Sequence, residues 1–346
     1  MTTLSRRHFL RTSGTVLGAT MAASLVFPVR GRAAEKELIP RKFPSPPNDQ
    51  YGNYEPTITA DGNTIYFARF ASTGDKRIAG GKASDIFVTH RIRQDREWPG
   101  VDGDWTVPER LPDTINSESM DQEPRITPDG KTLYFMSNRP GGHGTSDIYV
   151  SHKQANGEWS TAQNLGPNIN SQYVDHCFMP IGLPGEDDMS LFVSIRPREP
   201  GAAPTPDLYT SKMEKGVWQP ARRLESKLLD SIGLKCRVNN VAKDGLILSV
   251  ISIHDFGKFH KMAFVHYDPA TKQWKGPIVE APFNLPNIDG ACPMFTPDGD
   301  TMIWSSGQDR GPGPVSGTGG TGSAYDLFWL KTSDIVAYYR AKAGLS

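Results

Sequence analysis

The chain has 346 residues, and its 38 basic and 38 acidic side chains give a formal charge of zero. This balance excludes a nucleic-acid partner, which requires a basic face. Beyond the N-terminus there is no apolar run of the roughly 18 residues that a membrane-spanning helix needs, so we expect no such helix. Gly (34) and Pro (28) are frequent, which favours short strands joined by turns over long helices.

The first 34 residues resemble an export signal. The pair Arg6-Arg7 precedes a weakly apolar run at 16–29, and a small-residue cleavage site follows at 33–34. This order is similar to the twin-arginine signal, which sends folded proteins across the bacterial inner membrane. An ordinary secretory signal or an uncleaved anchor is the alternative. We expect the protein in the periplasm or outside the cell.

A unit of about 55 residues returns five times along the rest of the chain. Its first marker is an Asp-Gly turn between apolar segments, at 57–67, 125–135 and 294–304. Its second marker is an Asp followed by apolar and aromatic residues, at 84–88, 146–150, 206–209 and 325–328. Its third is a tryptophan, at Trp105, Trp159, Trp218 and Trp274. Periods of this length are typical of propellers and other repeat folds.

Each period has the content of a four-stranded antiparallel sheet, with the Asp-Gly turn joining its first two strands. The sequence therefore predicts an all-β fold, a single five-bladed β-propeller. The predicted blades are 51–113, 114–168, 169–228, 229–284 and 285–332. The last blade lacks its outer strand, so we expect 38–43 to close the ring there, with Leu38, Ile39 and Phe43 packed against it. A short C-terminal helix is predicted at 333–343.

The segment Thr-Pro-Asp-Gly-Lys-Thr-Leu-Tyr-Phe-Met-Ser-Asn-Arg-Pro-Gly-Gly, residues 127–142, resembles the WD40-like (PD40-type) repeats of the Tol-system periplasmic propeller and its relatives. The resemblance covers the first, second and fifth blades well and is weakest in the fourth. It implies the fold and, as one function, the docking of periplasmic proteins. Several glycosidase families also use five-bladed propellers, but their motifs cannot be matched here, so that link is an analogy of fold.

The first strand of a propeller blade is innermost, so its beginning lines one mouth of the central channel. Glu55, Glu123 and Cys292 each stand six residues before the Asp of the Asp-Gly turn. Cys177 follows Asn-Ser by the same spacing as Glu123, and a longer turn in the fourth blade would bring Cys236 or Arg237 to this point. We therefore expect two glutamates and all three cysteines on one ring.

Three interpretations of the cysteines remain open. Two of them could form a disulfide across neighbouring blades, or all three could fill the channel as small, soft side chains. They could also bind Zn²⁺ or Cu(I), which favour sulfur and imidazole ligands. The metal ligands would then be Cys177, Cys236, Cys292 and His176. No Cys-x-x-Cys spacing supports the metal.

Acidic residues gather at the same mouth. Two carboxylates across a channel are what glycoside hydrolysis requires, one to donate a proton and one to act as base or nucleophile. The catalytic candidates are Glu55, Glu123, Asp121 and Asp175, with Asp289 nearby. Alternatively, the Glu-Pro pairs belong to the repeat, and their carboxylates bond a neighbouring blade.

Cationic residues open the loops on this face. A ring of guanidinium groups could hold an anionic ligand bidentately, or each could pair with an Asp of an adjacent blade. The candidates are Arg69, Arg139, Arg196, His254, Arg310 and Arg237.

These features predict a ligand-binding or catalytic site at the channel mouth. If the protein is an enzyme, a carboxylate-assisted hydrolase or lyase on a sugar or other small polar substrate fits best, with or without a metal. The alternative is a non-enzymatic scaffold that docks periplasmic proteins. We expect a monomer in either case.

Overall fold

Five sheets of antiparallel strands make up the computed structural model of the chain. It describes residues 37–70, 78, 84–180, 182, 183, 186, 188–231, 236–253, 261–284, 290–307 and 325–345. The signal-like segment 1–34 lies outside the described residues. Within them, no helix is long and apolar enough to cross a membrane.

The strands are, in chain order, β1 (Arg41–Lys42), β2 (Tyr54–Ile58), β3 (Thr64–Phe70), β4 (Ser84–His90), β5 (Glu109–Arg110), β6 (Asp121–Ile126), β7 (Thr132–Ser137), β8 (Asp147–His152), β9 (Gln163–Asn164), β10 (Val174–Met179), β11 (Met189–Arg196), β12 (Thr205–Glu214), β13 (Val217–Trp218), β14 (Arg222–Arg223), β15 (Cys236–Lys243), β16 (Leu246–Ile253), β17 (Lys261–Asp268), β18 (Gln273–Glu280), β19 (Gly290–Phe295), β20 (Thr301–Ser306) and β21 (Asp326–Lys331). The helices are α1 (Lys227–Ser231) and α2 (Thr332–Ala343).

Each sheet is one blade of a propeller. Blade 1 is β2-β3-β4-β5, blade 2 is β6-β7-β8-β9, blade 3 is β10-β11-β12 with β13 and β14 both on β12, and blade 4 is β15-β16-β17-β18. Blade 5 is β19-β20-β21-β1. The first strands of successive blades contact one another, as β2 does with β6 and with β19, so they surround the axis. The predicted five-bladed propeller is confirmed.

The N-terminal strand closes the ring as predicted. β1 pairs with β21 through Arg41↔Trp329 and Lys42↔Phe328, and the amide of Phe43 donates to the carbonyl of Leu327 at 2.8 Å. Leu38 and Phe43 are buried, whereas Ile39 is 65% exposed. The expected packing of Ile39 is therefore wrong, because the extended chain turns that side chain to the surface.

Asparagine amides bridge most junctions between blades. Asn116 accepts from the amide of Ile86 at 2.8 Å and donates to the carbonyl of the same residue at 3.0 Å. Because Ile86 belongs to the third strand of blade 1, this side chain satisfies both backbone groups of the preceding blade. The same arrangement joins Asn48 to Leu327, Asn170 to Ile148, and Asn284 to Met262.

Phe43 tests the closure. Its ring lies 5.2 Å from that of Trp105 and 5.6 Å from that of Trp98. We expect Phe43→Ala to lower the free energy of unfolding by about 3–5 kcal/mol, the usual cost of removing a buried aromatic ring. Ile39→Ala is the matched control in the same segment and should change it by about 0.5 kcal/mol or less. Urea unfolding followed by tryptophan fluorescence measures both, and equal stabilities would contradict the closure.

Candidate functional site at the channel ring

One residue in the first strand of four blades adopts a left-handed backbone. These residues are Glu55 (φ 60°), Glu123 (φ 58°), Cys177 (φ 58°) and Cys292 (φ 58°). At each of them the pairing with the second strand shifts, which marks a β-bulge. A positive φ is uncommon for residues other than glycine, so its repetition makes the bulge a feature of the fold.

The sequence explains why the bulge forms there. Proline follows Glu55, Glu123 and Cys292, and proline has no N–H to donate to a β-ladder. Within a sheet it is tolerated at a bulge, where the extra residue is left out of the pairing. The Glu-Pro and Cys-Pro pairs therefore favour the bend in blades 1, 2 and 5, whereas Cys177 of blade 3 bends without a following proline.

The bends bring side chains of neighbouring blades together. Between blades 2 and 3, the amide of Cys177 donates to Oε2 of Glu123. Nδ1 of His176 lies 3.2 Å from Oε1 of the same carboxylate and 2.9 Å from Sγ of Cys177. Glu123 and Cys177 are buried, and the His176 side chain is 21% exposed.

A second pair of the same residue types joins blades 5 and 1. Sγ of Cys292 donates to Oε1 of Glu55 at 3.4 Å, and the amide of Glu55 donates to Oγ of Ser305 at 3.1 Å. Both side chains are buried. The channel ring, meaning Glu55, Glu123, Cys177 and Cys292, thus consists of two glutamate–cysteine pairs.

Blade 4 departs from the expected register. In blade 2 the bulged residue Glu123 lies opposite Phe135, which pairs with Tyr149 of the third strand. The corresponding position in blade 4 is Val250, and its partner on β15 is Asn239.

The expectation that Cys236 or Arg237 occupies the ring is therefore wrong. The residue at that level is Asn239, three and two positions further along, whose Oδ1 accepts from the amide of Phe295 at 2.6 Å. The cause is the turn after β15, which is shorter than predicted: Asp244 (φ 52°) and Gly245 (φ 72°) form a two-residue hairpin loop. Pairing along β15 and β16 is continuous, so no bulge turns a side chain inward.

Two of the three cysteines are described. Cys177 and Cys292 are buried thiols that are not joined to each other. Among the described side chains, the group with metal-ligand geometry is Glu123, His176 and Cys177, and Cys292 is not a member of it. The side chain of Cys236 lies outside the described residues, and its part in a metal site or a disulfide stays a prediction.

The structure gives Asp121 and Asp175 structural contacts. Oδ2 of Asp175 accepts from the amide and the hydroxyl of Ser171, and Oδ1 accepts from Arg196 at 2.9 Å. Asp121 has the same contacts with Ser117 and Arg139. Both carboxylates are fully buried and are held by these contacts within their own blade, and their catalytic role stays a prediction.

The arginines are likewise built into the blades. Arg139 lies 4.7 Å from the ring centre of Tyr149 and 5.2 Å from that of Phe135, and it forms an ion pair with Asp121. Arg196 repeats these contacts in blade 3, and Arg69 pairs with Asp49 in blade 1. These contacts fit the alternative of pairing with an aspartate, and the ligand-binding role of Arg69, Arg139 and Arg196 stays a prediction. His254, Asp289, Arg310 and the Arg237 side chain lie outside the described residues.

One residue of the site was missed. Arg125 is 2% exposed; its Nε lies 3.1 Å from Sδ of Met179, and Nη1 donates to the carbonyl of Pro124 at 2.8 Å. Within the described part of the chain no carboxylate pairs with it, although a buried charge normally has such a partner. The available signal was its position, two residues after Glu123, where blades 1, 3 and 5 carry Thr57, Met179 and Met294.

A cleft of about 460 Å³ opens on the opposite face, where the first strands end. Its walls include the Asp-Gly turns of blades 1 and 5 together with Trp98 and Trp329. No member of the channel ring lines it, so the cleft and the clustered reactive side chains are separate features.

No protein-family model and no curated protein sequence matches the chain. Among solved structures it is similar to an α-L-arabinofuranosidase from Lactobacillus brevis, with 10% identity over 81% of this chain and 90% of that one and a TM-score of 0.50. It is also similar to the RS223 β-xylosidase, with 12% identity over 85% and 94% of the two chains and a TM-score of 0.52. A putative TolB from Agrobacterium tumefaciens matches at 14% identity over 73% and 69%, with a TM-score of 0.38. At these identities the similarity concerns the fold alone.

Cys292 tests the bulge itself. A β-branched residue is strongly disfavoured at positive φ, whereas glycine accepts it without strain. We expect Cys292→Gly to be more stable than Cys292→Val by about 1 kcal/mol or more, within the roughly 1–3 kcal/mol range of such strain. Val193 in β11 is the control, because there the native valine should be more stable than Val193→Gly. Urea unfolding measures all four proteins, and a Cys292→Val variant at least as stable as Cys292→Gly would contradict the bulge.

Proposed function

We propose that the protein is a hydrolase that binds a carbohydrate or another small polar substrate at the channel ring, with assistance from the carboxylates of Glu55 and Glu123. The observation that carries this proposal is their shared position: both are buried at equivalent left-handed residues of adjacent innermost strands. Hydrolysis of a glycosidic bond needs two such groups on one substrate, a proton donor and a base or nucleophile.

The contrast with the other acids supports this choice. Asp121 and Asp175 are neutralised by arginine within their own blades. Glu55 contacts the thiol of Cys292, and Glu123 contacts the imidazole of His176, both from a neighbouring blade. Thiol and imidazole groups can exchange a proton with an adjacent carboxyl.

The backbone at these positions supports a functional role as well. A non-glycine residue held at positive φ costs about 1–3 kcal/mol, and such strain is concentrated at functional sites. Here it occurs at two glutamates, at equivalent points of adjacent innermost strands.

The comparisons guide the choice of test substrates. Structures of similar fold at a TM-score of 0.50 or above include an arabinofuranosidase and a xylosidase, so aryl arabinosides and aryl xylosides are tried first. We further propose that residues 1–34 export the protein and that it acts in the periplasm or outside the cell as a monomer.

Activity on aryl α-L-arabinofuranosides and β-D-xylosides tests the proposal. We expect Glu55→Gln to lower kcat by about 100-fold or more, the usual contribution of a general acid or base. The fold should persist, because glutamine keeps the size of the side chain. Glu97→Gln is the control: this exposed acid lines the cleft on the opposite face, and its loss should leave kcat unchanged.

Two results would contradict the proposal. One is a wild-type protein that neither cleaves these substrates nor binds the corresponding sugars in calorimetry, which would favour the alternative, a scaffold that docks periplasmic proteins. The other is a Glu55→Gln variant as active as wild type, which would show that Glu55 takes no part in the reaction.

A further inference from the structure

Three donor atoms of different chemistry converge between blades 2 and 3. Nδ1 of His176 lies 2.9 Å from Sγ of Cys177 and 3.2 Å from Oε1 of Glu123, and all three atoms lie within 4.8 Å of one another. We propose that Glu123, His176 and Cys177 bind one divalent metal ion of the zinc class. This proposal goes beyond the hydrolase and does not rest on it: with the ion bound, Glu123 serves as a metal ligand, and Glu55 is the carboxylate that remains for acid–base catalysis.

The three donor atoms form a triangle around one point, whereas the residues of a catalytic triad form a linear chain of hydrogen bonds. In a nucleophilic triad the imidazole uses one nitrogen toward the nucleophile and the other toward the carboxylate. Here both neighbours face the same nitrogen, Nδ1, while Nε2 has no hydrogen-bond partner among the described residues. A proton on Nε2 leaves the Nδ1 lone pair for a cation at the centre of the triangle, and this favours a metal over a Cys–His nucleophile.

The backbone explains how adjacent residues serve one site. In a regular strand, His176 and Cys177 would point to opposite faces. The left-handed conformation of Cys177 breaks that alternation and brings Nδ1 and Sγ together. The ligands are thus placed by the fold before any ion arrives.

The carboxylate is also oriented from outside the triangle. The amide of Cys177 donates to Oε2 of Glu123, which directs Oε1 toward the imidazole and the thiol. Metal-binding carboxylates commonly have such a supporting hydrogen bond, and its loss weakens binding.

The donor set selects the ion. One sulfur, one imidazole nitrogen and one carboxylate oxygen are all ligands that Zn²⁺ takes, and three protein ligands leave a fourth tetrahedral position open. Ca²⁺ and Mg²⁺ prefer sets made of oxygen alone. Glu123 and Cys177 are buried and His176 is partly exposed, so the donor atoms lie close to the surface only at the imidazole.

The chain contains a natural control. Glu55 and Cys292 form a pair in the same backbone setting between blades 5 and 1. The residue before Cys292 is Ala291, where blade 3 has His176. This second pair therefore supplies two donors and lacks the imidazole.

Metal titration tests the proposal. Protein stripped with a chelator is titrated with Zn²⁺ by calorimetry and with Co²⁺, whose thiolate charge-transfer absorption reports a sulfur ligand. We expect one ion per chain, and we expect Cys177→Ser and His176→Gln each to weaken Zn²⁺ binding by about 100-fold or more, beyond the loss typical for a supporting residue. Cys292→Ser should bind Zn²⁺ like wild type and keep the cobalt absorption. Ca²⁺ should not compete.

The outcomes that would overturn the site are distinct. Wild-type protein that takes up no Zn²⁺ contradicts it, as does a Cys177→Ser variant that binds as well as wild type. Equal losses in Cys177→Ser and Cys292→Ser would place the ion elsewhere. Circular dichroism of each stripped variant confirms that it is folded. Titration of Glu55→Gln separates this test from the hydrolase, because that variant should lose activity and keep the metal.

Discussion

The left-handed residue in the innermost strand is the constraint on which the functional part of this propeller depends. It interrupts the alternation of side chains along the strand, so that Glu123 reaches across to Cys177 and Cys292 reaches Glu55. Without the bulge, these residues would follow the pleat and lie within their own blade. The same bend builds the seam between blades and gives the channel its reactive groups.

Polar side chains are buried here for two different purposes. One set occurs in blades 2 and 3: an aspartate accepts from a serine and an arginine, as Asp121 does from Ser117 and Arg139, and the guanidinium packs on aromatic rings. Such a set satisfies its own charges. The other set bridges blades and differs from one seam to the next. It contains the imidazole of His176 and the guanidinium of Arg125, which has no carboxylate partner among the described residues. In a repeat fold, function is carried by side chains that differ between structurally equivalent positions of the repeats.

The spacing of the sequence motifs predicted the fold and part of the channel ring. Regular Asp-Gly turns predict five equivalent sheets, and counting back six residues places Glu55, Glu123 and Cys292 at one structural position, as the structure has them. The count fails in blade 4, because it assumes both a bulge and a longer turn. The Asp244–Gly245 hairpin has neither, and Asn239 takes the place expected for Cys236 or Arg237.

The sequence alone does not show which arginines form an ion pair within their own blade. An arginine at the start of a loop has the same sequence pattern whether it contacts a ligand or an aspartate. Its orientation depends on aromatic residues of two other strands, on which the guanidinium packs. The convergence of His176 with Glu123 was hidden for a similar reason, because neighbouring residues such as His176 and Cys177 share a site when φ is positive, and φ is not written in the sequence. Counting identified the position, but only the backbone conformation brings its ligands together.

Anomalous diffraction at the zinc absorption edge, from a crystal of the protein loaded with Zn²⁺, tests the central claim most directly. We expect one strong anomalous peak about 2.3 Å from Sγ of Cys177 and about 2.0–2.2 Å from Nδ1 of His176 and Oε1 of Glu123, the usual zinc–ligand distances. An anomalous peak at Cys292, or the absence of a peak at the Glu123–His176–Cys177 triangle, would contradict the proposed metal site.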